Sequence, residues 1–85
     1  MEITGWQSHA EKRLAERGIS KEEAISYMDK SIGVLRRYSP PNEQNNYYSQ
    51  NGVIGIRIMD GLVCTAHSKD DFTPDTVKIV EVLSK

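Results

Sequence analysis

Two turn signals, Asn51-Gly52 and Asp60-Gly61, constrain this chain more than any other feature. Such dipeptides favour tight hairpins because both residues tolerate positive φ. Between them Val53 to Met59 alternates, with Ile54, Ile56 and Ile58 on one side and Arg57 on the other, the period of a half-buried strand. Leu62 to His67 continues as the next strand, and Asn46 to Gln50 precedes the first turn. Val34 to Tyr38 forms an earlier strand, which Ser39-Pro40-Pro41-Asn42 stops. A four-stranded antiparallel meander is expected.

Before the period-2 region the pattern is helical. Ser8 and Glu11 have capping-box spacing, good helix formers follow to Arg17, and Gly18 stands where a helix ends. Ser20 and Glu23 repeat the box, with Ile19 and Ala24 placed as a hydrophobic staple. The second helix is expected to run to about Ile32, with Ile25, Met28 and Ile32 on one stripe and Gly33 closing it. Thr73-Pro74 then opens a last helix, whose Val77, Ile79, Val80, Val82 and Leu83 form a wide apolar face. The order is ααββββα: an α+β single domain over residues 1–85, with an N-terminal helical hairpin packed on the sheet and a C-terminal helix.

Composition limits the rest. The chain has 85 residues, 38% hydrophobic and 27% charged, with a formal net charge of −1. A core of this size buries about 60–65% of the unfolded surface. No apolar run reaches the ~18–20 residues of a membrane span, and the N-terminus lacks the basic start and apolar stretch of a signal peptide. The lone Cys64 forms no internal disulfide. Near-neutral charge offers no general attraction for nucleic acid, so any such function needs a local patch.

One patch stands out. His9, Arg13 and Arg17 recur at i, i+4 and i+8, a stripe along the first helix that overlaps Trp6, Ala10 and Leu14. Thr65 and His67 end the last strand with polar groups. With two-residue turns, Tyr47, Ser49, Thr65 and His67 share a face with Ile54 and Ile56, and Tyr48, Arg57 and Cys64 share the other; a bulge would exchange members between the sets. Each residue also has a plain structural reading. Arginine stems cover apolar surface, Thr65 favours strands, His67 is a strand-end histidine and Arg57 an exposed strand charge.

Histidines near neutral pKa, arginines and hydroxyls suit metal-independent RNA cleavage. That reaction needs a base for the 2′-hydroxyl, an acid for the 5′-oxygen and cations around the phosphorane. His9, Arg13, Thr65 and His67 are the catalytic candidates; Arg17, Arg57 and Tyr48 are the substrate-binding ones. No external cofactor is required. His67, Asp70 and Asp71 match no strong metal-ligand spacing, and nothing marks Cys64 as an activated nucleophile.

The run Ser8-His9-Ala10-Glu11-Lys12-Arg13-Leu14-Ala15-Glu16-Arg17-Gly18-Ile19-Ser20 resembles the helical motif of small C-terminal toxin domains in bacterial polymorphic toxins and phage-head fusion proteins. Many of these are assigned to the barnase–EndoU–colicin–RelE-like ribonuclease fold, two helices followed by a four-stranded antiparallel sheet. The resemblance implies that His9 and Arg13 are active-site residues and Thr65 the polar group of the last strand. It also implies an RNA substrate, an immunity or antitoxin partner, a place at the C-terminal end of a larger protein, and a cytoplasmic site of action reached by delivery into a target cell. His67 stands where the pattern has a tyrosine, and the helix from Pro74 is additional to the minimal fold. The competing expectation is a non-enzymatic protein-interaction module of a phage or mobile element, using a sheet edge and arginines.

Overall fold

The computed structural model describes residues 3–39 and 42–85, with the side chains of Ser39 and Asn42 also outside the description. The proline break at Pro40-Pro41 therefore lies outside the described residues, as do Met1 and Glu2. The order is β1 (Gly5–Trp6), α1 (Ser8–Arg17), α2 (Lys21–Asp29), β2 (Gly33–Ser39), β3 (Asn42–Tyr48), β4 (Gly52–Arg57), β5 (Leu62–Ser68), a 3-10 turn (Lys69–Asp71) and α3 (Pro74–Leu83). The class is α+β as expected, but the sheet has five strands in the order β1-β5-β4-β3-β2. The added strand is the two-residue β1, which pairs parallel with Leu62 and Val63. Two residues carry no periodicity, so the four-stranded expectation had no means of including it.

Both helices of the hairpin lie on one sheet face. There Leu14, Ile19, Ala24 and Tyr27 meet Ile54, Ile56, Val63 and Ala66 in a single core. The staple is present: Ile19 and Ala24 flank the Ser20 cap and both are buried, while the Ser20 hydroxyl accepts from Glu23 N at 3.0 Å. The first box is not formed. Gln7 is the N-cap of α1, without a side-chain cap bond, and Ser8 is the first helical residue. α2 stops at Asp29, short of Ile32, which is exposed.

α3 covers part of the opposite face. A Cβ on Gly33 would stand 2.6 Å from Leu83 Cδ2, which marks the contact between this helix and the start of β2. No residue of α3 is buried, so its docking is shallow.

The turns differ from expectation in mechanism. Ser49 N donates to Gly52 O at 2.9 Å, so the central residues are Gln50 and Asn51, and Gly52 has no positive φ. Gly52 is needed for space instead: a Cβ there would lie 2.4 Å from the Tyr27 ring and 2.7 Å from His67 O. The second connection is the four-residue segment 58–61 rather than a two-residue turn. Gly61 N donates to Arg57 O at 2.8 Å with Gly61 at φ 75.

Candidate functional site

The first consequence for the site is a bulge in β5. Ile54 pairs with Ala66 and Gly55 with Thr65, but Ile56 pairs with Val63, leaving Cys64 as the extra residue. Thr65 and His67 therefore leave the face of Ile54 and Ile56 and join that of Tyr48 and Arg57, the exchange that a bulge was expected to cause. Contacts at Gly55 agree: a Cβ there would meet Asn46 Oδ1, Gln44 Nε2 and Thr65 Cγ2 at 2.7–2.8 Å. Tyr47 and Ser49 keep the helix-covered side, as the pairing of Tyr47 with Ile54 requires.

The second consequence concerns the edge of β5. β1 pairs only with Leu62 and Val63, so Cys64 to Ser68 have no strand neighbour on that side among the described residues. α1 is fastened along this gap at both ends. Gln7 N donates to Val63 O at 3.0 Å, and Arg17 Nη1 donates to Ala66 O at 2.8 Å. The Arg17 guanidinium thus reaches the strand edge one residue before His67. At 100° per residue, Arg13 and His9 sit 40° and 80° round the helix from Arg17, about 6 and 12 Å along its axis. Both are exposed.

His67 is half-buried, with its ring edge-to-face against Phe72 at 5.8 Å. Burial holds its pKa below the ordinary 6.5, the charge of Arg17 lowers it further, and Asp71 partly opposes them. Burial and Arg17 together thus favour the neutral ring over the charged one. Arg17 Nε lies 3.9 Å from Asp71 Oδ2, a long pair between side chains 28% and 44% exposed, and an incoming anion would compete with it on favourable terms.

The remaining candidates are placed elsewhere. Arg57 is closed onto Asp60 in a bidentate pair, Nε to Oδ1 at 2.9 Å and Nη2 to Oδ2 at 2.6 Å, which raises the arginine pKa and lowers that of the carboxyl. Its guanidinium clasps the β4–β5 turn. Tyr48 is buried at 8% exposure. Burial pushes the Cys64 thiol up, away from nucleophilic ionisation. Asp70 and Asp71 diverge: Asp71 faces Arg17 and His67, whereas the field of Asp70 reaches Tyr27, whose hydroxyl donates to Glu23 Oε2 at 2.5 Å. So the structure brings together Arg17 and His67, with Thr65 two residues away on the same strand face. It leaves Arg13 and His9 farther along the helix. Asp71 and Phe72 were missed as members of this cluster; the only signal was a charged run directly after the strand end.

No helix of the described residues is long and apolar enough to cross a membrane. Comparison with protein-family models, with curated proteins and with solved structures gives no match.

Proposed function

We propose that this chain is a metal-independent endoribonuclease domain that binds RNA along the open edge of β5 beside the end of α1. The observation that carries the reading is the fastening of α1 at Val63 and Ala66, which sets the Arg17 guanidinium at the strand edge one residue before His67. In this reading His67 takes the proton from a ribose 2′-hydroxyl, and the O2′–P bond forms as the P–O5′ bond breaks. Solvent at the open edge protonates the departing 5′-oxygen. Arg17 holds the phosphorane by its planar fork, exchanging its weak contact with Asp71 for phosphate. Arg13 and His9 extend the binding surface to flanking phosphates, His9 in the first turn of α1 where the helix dipole favours anions. The motif from Ser8 to Ser20 supports the same reading by resemblance. An immunity or antitoxin partner belongs to this proposal too, as do the larger parent protein and a cytoplasmic site of action.

The test is incubation of the purified chain with total RNA in EDTA, followed by end-group analysis. Fragments ending in 2′,3′-cyclic phosphate and 5′-hydroxyl are expected. Intact RNA, or 5′-phosphate ends, would refute the mechanism.

A further inference from the structure

β2 is the outermost strand of the sheet, seven residues long, and nothing described covers its outer edge. Its backbone phase follows from the ladder. Ser49 N bonds Gly52 O and Ile58 N bonds Glu43 O, so odd-numbered residues of β3 face β4 and even-numbered ones face β2. Gly33, Leu35 and Arg37 pair with the even-numbered residues Tyr48, Asn46 and Gln44, so they spend their backbone groups inward. The N–H and C=O of Val34, Arg36 and Tyr38 therefore point outward as three unused pairs.

The side chains beside this edge are apolar and exposed: Val34 45%, Leu35 41% and Tyr38 64%. On the α3 side, Leu35, Ile79, Val82 and Leu83 line an open cleft of about 570 Å³, with Asp75 and Lys78 also at its wall. Two cations sit mid-strand. Arg36 is 68% exposed and holds Glu43 only at 3.8 Å, and no carboxylate of the described residues lies within 4 Å of Arg37.

We propose that β2 accepts an extended strand of a second, different protein, carrying acids opposite Arg36 and Arg37 and a large apolar residue that enters the cleft beside α3. Main-chain bonds to Val34, Arg36 and Tyr38 provide the attachment, and the two charges with the cleft provide selectivity. A second copy of this chain is the wrong occupant. The two-fold antiparallel register that uses all six outward groups sets Arg36 directly against Arg36, a like-charge pair that blunts self-association. This surface lies at the opposite edge of the sheet from His67, so it stands or falls independently of the cleavage reading.

The probe is the peptide acetyl-Thr-Val-Glu-Glu-Leu-Val-Thr-amide, whose antiparallel register puts its second Glu opposite Arg36 and its Leu beside Leu35. Titration into the 15N-labelled protein should shift amides of residues 33–39 and 76–83. The Lys-for-Glu peptide should bind about ten-fold more weakly. Methylating the amide nitrogen of the second Glu, which donates to Arg36 O, should abolish binding; methylating that of the first Glu, which points away, should not. Arg36→Glu should reverse the preference between the Glu and Lys peptides. If that variant does not fold, the methylated pair on the unaltered protein still decides. Equal response to both methylated peptides, shifts confined elsewhere, the same residues shifting with an oligouridylate, or a chain that sediments as a β2-mediated dimer would each overturn the proposal.

Discussion

Replacing Arg17 by methionine tests the local geometry on which the site depends, because it keeps most of the apolar stem and removes the guanidinium. The bond from Nη1 to Ala66 O at 2.8 Å is charge-assisted and part-buried, a class contributing about 1.5–3 kcal/mol. Water at the open strand edge replaces some of it. The 3.9 Å pair with Asp71 adds little after screening. The net loss is about 1–2 kcal/mol, roughly 5–15 °C in melting temperature for a chain of this size. A second readout is specific to the juxtaposition: His67 loses a neighbouring cation while Asp71 remains, so its pKa rises, with burial still holding it below the ordinary 6.5. In the unaltered protein the folded histidine titrates below its unfolded value, so the unfolded chain binds more protons between the two. Stability therefore falls as pH drops from about 6.5 through the folded pKa. In Arg17→Met that acid loss shrinks. NMR titration of His67 with thermal melts at pH 5 and 7.5 measures both effects, and a variant with unmoved His67 titration and an unchanged melting curve would refute the placement.

Further substitutions separate cap, space and charge. Gly52→Ala should cost about 1–3 kcal/mol by overpacking, because its methyl would enter the Tyr27 ring and strike His67 O; a neutral effect in denaturant melts would contradict the spatial account of this glycine. Ser20→Ala should lose about 1 kcal/mol and Ser8→Ala only a few tenths, since Ser20 caps α2 and Ser8 caps nothing; equal losses would mean the caps are misassigned. Arg13→Lys, exposed on α1, should stay within about 0.5 kcal/mol in stability yet weaken RNA binding about ten-fold if its fork holds a flanking phosphate, and unchanged affinity would remove it from the site.

The helix hairpin, the Ile54 and Ile56 face of β4 and α3 were legible because each rests on local chemistry: helix formers with the Ser20 cap, the period of apolar residues, and proline at a first helical turn. The Ser8 box is not formed, and β4, buried on both faces, ends at Arg57 before Ile58. Long-range pairing was not. The parallel contact of β1 depends on Thr4 N reaching Gly61 O across the chain, which no local pattern encodes. Gly52 was read as a conformational residue, yet its role is to let Tyr27 and the backbone of His67 approach, a fact of packing. The same limit applied at the site. The stripe of His9, Arg13 and Arg17 was visible from spacing alone, but the β5 bulge at Cys64 decided which face Thr65 and His67 occupy. Arg57 shows the reverse case: a cation spaced for substrate binding is consumed by Asp60, three residues later across the turn.

The most direct test of the central claim is single-turnover cleavage of a fluorogenic RNA at pH 7 in EDTA by the unaltered protein and by His67→Gln. If the half-buried His67 beside Arg17 is the base, the unaltered chain cleaves and the glutamine variant, folded by its melting curve, loses about 10²–10⁴-fold in rate. An unaltered chain that leaves the RNA intact, or a variant that cleaves at the full rate, would contradict it.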